Sequence, residues 1–547
     1  MSQAAAAPSP WRRPWGPAAL AALALFAALA WGWRRSDELC DDWQGWRQAD
    51  TQAMARSQAF ESFDPLRPRI DWRGDGPGYV EAELPIYPAL VALPLRALGD
   101  RAWPGQLLSL ACVLLACALL FAHLARRFGG LAGAVALVAV LTGQGMIVAS
   151  TSIQPDPLAL LAFTVGWLAF ARYLEAPGRA ALVTWVLATL LAGLVKPTTL
   201  ELGLAQALLC ALAHRRALRD PRVWLGWAII VVSVAAYLWH ARGLYLTYGN
   251  TFGVLSGGDS KLPALARLAE PASWRELARY AVVWGVTWPG ALAALVLLAR
   301  RRVGAEAAAL AVAAFALCVL AFRYTSGPFG THYHLPHAVL GAYLVARAVA
   351  LVLAPASASG REARADDAAT DATDAAAVVG GTASASRASA ALPLLRRALL
   401  AALVLASLAQ AARAARFLRR LPPQPETALG HALATLASPG TLVAVRARAE
   451  RYNTDWRTPN NFEDPRVFYL SRTYGWVLPN DLRGAEAIAR LRELVARGAR
   501  YYVHVNQGEP DAELRAFLAA DAERVASLPV GDIYALRGGA ARSQPAR

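Results

Sequence analysis

Apolar residues in this chain come in long blocks rather than at the spacing of a half-buried helix or strand. Runs at 17–33, 104–123, 130–148, 157–174, 180–195, 199–213, 223–242, 279–299, 304–322, 334–353 and 391–412 are nearly free of charge. A helix needs about 20 such residues to cross a hydrocarbon core of about 30 Å, and some of these runs fall slightly short. Glycine and proline inside several of them are compatible with membrane helices, because neighbouring groups satisfy the freed backbone. The pattern predicts an α-helical polytopic membrane protein of about 11 spans, with the first run retained as a helix because no small-residue cleavage site follows it.

Arginine clusters orient the spans. Arg12-Arg13, Arg126-Arg127, Arg179, the group Arg215, Arg216, Arg219, Arg222, and Arg300-Arg301-Arg302 fall on one side if the spans alternate, and excess positive charge marks the cytoplasmic side. The alternation holds only if the apolar stretch 84–98, which carries three prolines, is an interfacial or re-entrant helix instead of a crossing one. A long outer loop, 34–103, results. After the tenth span, 354–390 is rich in Ala, Ser, Gly and Asp without periodicity, the pattern of a disordered linker. The last span leads to an outer region, 413–547, where strand-like runs 441–447, 467–471, 501–505 and 532–536 alternate with helical patterns at 485–496 and 511–520. That reads as a small α/β domain with parallel pairing. It has no glycine-rich phosphate fingerprint.

Composition agrees with the membrane reading. Of 547 residues 56% are hydrophobic and 17% charged, against about 25% charged in soluble domains. The net charge of +16 comes from 55 Lys+Arg against 39 Asp+Glu, and only Lys196 and Lys261 are lysines. Most of that charge is therefore arginine spent on topology, and it does not point to nucleic acid. Four of the five cysteines lie in apolar runs and Cys40 stands alone in a polar loop, so neither a disulfide framework nor a zinc ribbon is indicated.

Charged side chains at a membrane face are functional candidates by default. Asp50 lies in the outer-loop segment Trp46-Arg47-Gln48-Ala49-Asp50-Thr51, Glu83 precedes Leu84-Pro85-Ile86-Tyr87-Pro88, and Asp156 stands between Pro155 and Pro157 ahead of a span. Asp50 also suits an N-cap for a helix starting at Thr51, and Asp156 a cap for the following span. Lys196, followed by Pro197 at the outward end of a short span, suits a lipid-linked phosphate as a compact point charge, or an interfacial snorkel. Arg323, His332, Tyr333, His334 and His337 crowd the segment opening the tenth span. Three histidines in six residues are a candidate metal set but lack the helical i, i+4 spacing, so His332 and Tyr333 are read first as hydrogen-bonding residues, with metal binding and interfacial anchoring as the alternatives.

These segments resemble bacterial membrane glycosyltransferases of the GT-C superfamily, closest to the branch of protein O-mannosyltransferases and the aminoarabinose transferases of lipid A. The motifs that carry the resemblance are the WRQADTQAMAR segment, the acid-Leu-Pro-Ile-Tyr-Pro segment, Pro-Asp-Pro, Lys196-Pro197, the His-Tyr-x-Leu-Pro loop and, more weakly, Tyr474-Gly475-Trp476. The resemblance covers 15–353 in layout. It implies a polyprenyl-phosphate sugar donor, an envelope acceptor (lipid, polysaccharide or protein) and a multi-pass enzyme of the bacterial inner membrane with its site on the outer face. Asp50 would be the base toward the acceptor hydroxyl. Arg47, Glu83, Asp156, Lys196, Arg323, His332 and Tyr333 would bind substrate, and Glu83 and Asp156 would hold a divalent cation if one is used. In the aminoarabinose branch a lysine follows the first acid; here that position is Leu84, so the phosphate contact falls to Lys196 or Arg323. The domain boundaries implied are 1–353 for the catalytic membrane domain, 354–390 for the linker, 391–412 for the last span and 413–547 for the outer domain. The rival is a transporter or flippase, which calls for internal repeats and a polar site at the bilayer midplane; a non-catalytic binding protein is the third reading.

Overall fold

Each apolar block of the sequence folds as helix in the computed structural model, which describes residues 15–33, 39–256, 265–353, 385–455, 457–506 and 511–537. In chain order these are α1 (Gly16–Trp33), α2 (Gly45–Phe60), α3 (Ile86–Leu98), α4 (Trp103–Phe128), α5 (Gly130–Leu141), α6 (Gln144–Thr151), α7 (Asp156–Glu175) and α8 (Arg179–Val195). There follow α9 (Glu201–Ala213), α10 (Pro221–Tyr248), α11 (Leu265–Leu268), α12 (Pro271–Ala281), α13 (Trp288–Ala299), α14 (Ala305–Leu320), α15 (Phe322–Thr325), α16 (His337–Leu353) and α17 (Ala385–Arg419). Among the described residues five helices, α1, α4, α7, α10 and the Arg397–Arg419 part of α17, are long and apolar enough to cross a membrane, and the count rises to eight if each bent pair is one span. The shorter apolar helices include α8, α14 and the interfacial candidate α3. The chain is an α-helical membrane protein.

Three expected spans are broken. α5 and α6 meet at 66°, Pro271–Val286 meets α13 at 107°, and Pro328–His334 meets α16 at 55°. The sharpest break has a local cause: a π turn over Val282–Val286 ends at Thr287, which takes φ 74° and caps α13 by accepting the Gly290 amide on its hydroxyl. Proline at the second position then starts a new helix. The run 279–299 is therefore not one straight crossing. The linker expected at 354–390 lies outside the described residues up to 384, and helix begins at Ala385, inside that stretch.

Beyond α17 come α18 (Pro425–Leu436), β1 (Leu442–Arg446), β2 (Tyr452–Asn453), β3 (Thr458–Pro459), α19 (Arg466–Ser471), β4 (Tyr474–Leu478), α20 (Gly484–Ala496), β5 (Tyr501–Val505), α21 (Ala512–Asp521), β6 (Ala522–Leu528) and β7 (Gly531–Leu536). The five-stranded sheet has the order β4-β1-β5-β7-β6. β1 pairs parallel with β4 and β5, whereas β7 pairs antiparallel with β5 and β6, so the sheet is mixed and not parallel throughout. The run 467–471, expected as a strand from its Val, Phe and Tyr, is the helix α19. Asp464 accepts the Arg466 amide at 3.1 Å and Pro465 presets the first turn, and these start signals outweigh β-propensity.

The outer domain shares its core with the first outer loop. Ile70, Trp72, Val80 and Ala82 pack with Leu429, Leu433, Val443, Val445, Val467, Phe468, Val503 and Ile533. Gly74 donates its amide to the Gly475 carbonyl, and Gly475 donates to that of Asp71. A Cβ at Gly475 would collide with the Val443 carbonyl, so Tyr474-Gly475-Trp476 is a docking seam, with Arg73 stacked 3.5 Å over Tyr474, and it does not reach the cavity below. Fully buried Ile70 and Val80 each contribute about 1.5–3 kcal/mol of apolar burial, enough to hold the domain against the loop.

Candidate active site

The start of α2 fixes the site. Gln44 takes φ 55°, and a Cβ on Gly45 would strike the Cys40 carbonyl, so the helix begins at Gly45 and not at Thr51. Asp50 thus lies in the second turn of α2 and is no N-cap. Its Oδ1 accepts a 3.0 Å hydrogen bond from the Trp72 indole. Arg47, one turn earlier, shares its face of the helix.

The helical hairpin α7–α8 brings Asp156, at the start of one arm, beside Lys196, at the end of the other. Asp156 is the first residue of α7, and Pro155 holds the cap position. Lys196 Nζ lies 3.5 Å from Asp156 Oδ1 and 3.4 Å from Glu83 Oε1. Arg47 Nη2 lies 3.5 Å from Asp156 Oδ2 and 3.8 Å from Glu83 Oε1. Two cations and two carboxylates alternate in a ring, and Lys196, only 4% exposed, is a buried member of it and not a snorkel. The segment before α16 closes over this ring. Tyr333 places its ring 5.1 Å from Lys196 Nζ. His332 bridges Arg47 Nη1 at 3.0 Å and Gln44 Nε2 at 3.1 Å, while Trp43 donates to the Thr331 hydroxyl and Gln44 to the Phe329 carbonyl. Arg323 lines the same cavity from α15.

The cavity holds about 810 Å³. Asp50, Arg47, Glu83, Arg323, His332 and Tyr333 line it, and Asp156 and Lys196 stand behind Arg47 and Tyr333. Sequence reasoning missed its other wall, which the outer domain supplies through Arg448, Asn453, Asn460, Asn461, Phe462, Glu463, Asp464 and Arg466. The available signal was the loop Pro459-Asn460-Asn461-Phe462-Glu463-Asp464-Pro465, dense in amides and acids, but nothing local says that it folds back over α2. Burial pushes the Asp50 carboxyl well above the usual carboxylate range; the Trp72 hydrogen bond opposes this, and the negative charge of Asp464, Asp71 and Glu463 adds to it. Burial raises Glu463 too. In Asp464 burial works against the charged form, but Arg466 overcomes it and holds the carboxyl below its ordinary value. One side of the cavity is therefore backed by a charge-balanced ring, Arg47 and Lys196 with Glu83 and Asp156, and Asp50 and Glu463 supply carboxylates that burial pushes toward the neutral form.

The two carboxylates expected to hold a metal, Glu83 and Asp156, are each paired with both Arg47 and Lys196. Among the described residues the group with a transition-metal donor set is a different one, Cys318, His334 and His337.

Residues 80–240 match the family model described as dolichyl-phosphate-mannose-protein mannosyltransferase. The chain has the fold of ArnT from Cupriavidus metallidurans. The apo structure of that protein aligns at TM-score 0.54 and 16% identity, over 95% of this chain and 98% of that one. Its undecaprenyl-phosphate-bound structure aligns at TM-score 0.56 and 15% identity over the same shares. The Archaeoglobus fulgidus oligosaccharyltransferase aligns at TM-score 0.51 and 11% identity, over 89% of this chain and 69% of its own. No curated protein matches the chain in sequence.

Proposed function

We propose that this chain is an integral-membrane glycosyltransferase that moves a sugar from a polyprenyl phosphate to an envelope acceptor with inversion. The observation that carries the proposal is one cavity that brings together an ion-paired ring, Arg47 and Lys196 with Glu83 and Asp156, and a buried base, Asp50, held by Trp72. The match of residues 80–240 to a lipid-phosphate-mannose transferase family supports the donor class, as does undecaprenyl phosphate bound to ArnT, which shares the fold. The transporter reading calls for a polar site at the bilayer midplane, whereas these charges gather at one set of helix ends.

The chemistry is a single displacement. The acceptor hydroxyl gives its proton to the Asp50 carboxylate as its oxygen bonds the anomeric carbon, and the bond from that carbon to the phosphate oxygen breaks. The electron pair leaves on polyprenyl phosphate, whose growing charge Arg47, Lys196 and Arg323 stabilise while His332 and Tyr333 hydrogen-bond the sugar or phosphate. With the arginine clusters on the cytoplasmic side, the cavity opens to the outer face of a bacterial inner membrane, and the outer domain 413–547 covers the acceptor end. A divalent cation finds Glu83 and Asp156 already paired with Arg47 and Lys196.

Mass spectrometry of envelope glycans and lipids tests the proposal. Cells lacking the gene should lose one sugar modification, restored by the wild-type gene; unchanged envelopes would refute the transferase reading. A finer check follows from the electrostatics. Only ionised Asp50 accepts the proton, so activity should fall with decreasing pH through a value above the usual carboxylate range. Trp72→Phe removes a hydrogen bond that favours the ionised form, so the acid limb of the kcat/KM profile should move to higher pH. An unmoved limb would mean that another group titrates.

A further inference from the structure

Below the segment that carries His332 and Tyr333 lies a cluster that the transfer mechanism does not use. Cys318, in the last turn of α14, His334, at the end of the Pro328–His334 turn, and His337, opening α16, each present one ligand atom, and these atoms all lie within 4.8 Å of one another. All three side chains are buried. The geometry points to a zinc site in which these residues supply three of the four ligands.

The hydrogen bonds around the histidines are those a metal site needs. His334 Nε2 is 2.8 Å from the Thr325 carbonyl, so it carries the proton, and Nδ1, 3.9 Å from Cys318 Sγ, keeps its lone pair. His337 Nε2 is 3.2 Å from Glu201 Oε2, which leaves Nδ1 as the lone-pair nitrogen of that ring. Metal-bound histidines almost always donate their other N–H to a carbonyl or carboxylate, and both outer partners are present here. A tetrahedral zinc with Zn–S near 2.3 Å and Zn–N near 2.0–2.1 Å separates sulfur from nitrogen by about 3.6 Å, so 3.9 Å closes with a small movement. A thiolate and two imidazoles are a zinc donor set rather than one for magnesium or calcium.

A second observation is electrostatic. Glu201 is 4% exposed at its side chain, and its Oε1 has no hydrogen-bond partner among the described residues. A buried carboxylate left so is costly unless a positive charge stands nearby. Zinc binding replaces the thiol proton, which passes to solvent, and adds one net positive charge beside that carboxylate. The ion would tie α14, the Pro328–His334 turn and α16 together and, through Glu201, α9. On the transferase reading it would hold His332 and Tyr333 over Arg47 and Lys196; the site itself does not depend on that reading.

The test is metal content of the purified full-length protein in detergent, equilibrated with zinc and freed of excess. Wild type should hold zinc equimolar with the chain, and Cys318→Ser and His337→Gln should lose it while remaining monodisperse. Replacement by cobalt should give wild type a thiolate-to-cobalt charge-transfer band that Cys318→Ser lacks. Zinc retained at full occupancy in both variants, or no thiolate band in cobalt-loaded wild type, would overturn the site. The cobalt spectrum of wild type decides the matter even if the variants fail to fold, and neither readout depends on enzymatic activity.

Discussion

Asp50→Asn is expected to abolish sugar transfer while leaving the protein folded and inserted. A positioned general base contributes about 10²- to 10⁴-fold, so transfer should fall by at least that much in a purified assay with a polyprenyl-phosphate sugar. The amide keeps the shape of the side chain and an oxygen for the Trp72 indole, which now donates at 3.0 Å. Stability should be unchanged or slightly higher, because burial and the acids Asp464, Asp71 and Glu463 already press Asp50 toward its neutral form. A loss of function with an unchanged or raised Tm separates catalysis from folding, which most core substitutions cannot do. If Asp50→Asn transfers sugar at the wild-type rate, the base lies elsewhere and the assignment fails.

The membrane helices were legible because the bilayer imposes one rule along the whole chain: backbone polar groups must be satisfied within the segment, so charge-free runs become helices. The short run 84–98, expected as an interfacial or re-entrant helix, is helical over Ile86–Leu98 as α3. What stayed hidden were bends such as the 107° angle after Val286. The π turn and left-handed Thr287 that make it have no signature of their own, although Pro289 marks where the second helix starts.

The site was legible in part for a related reason. Glu83, Asp156 and Lys196 are costly residues at helix ends, and the topology alone puts those ends together. The role of Asp50 in α2 was obscured by its good N-cap chemistry, and only the close approach of Gly45 to the Cys40 carbonyl shows where the helix begins. The outer-domain wall was invisible for a stronger reason. Asn460, Asn461 and Glu463 lie some four hundred positions from Asp50 in sequence, and the shared core of Ile70, Trp72, Val443 and Phe468 that brings them there has no local signature.

Lys196→Met should reduce transfer by about 10²- to 10³-fold, the scale of removing one charge-stabilising donor, and should also lower Tm. Lys196 faces both Glu83 and Asp156, and its loss leaves two carboxylates to share Arg47. Breaking a buried ion pair from one side costs up to about 3–5 kcal/mol, so the single variant mixes folding with catalysis. The pair Lys196→Met with Glu83→Gln separates them, because removing one carboxylate restores the charge balance around Asp156 and Arg47. Thermal unfolding of the double variant should return toward wild type while transfer stays low. Recovery of both would reduce Lys196 to a counter-ion for Glu83 and leave Arg47 and Arg323 to receive the phosphate; recovery of Tm alone assigns Lys196 to the leaving group. Lys196→Arg should rescue poorly, since a planar guanidinium on a longer fork cannot take the place of a compact ammonium between two carboxylates and the Tyr333 ring.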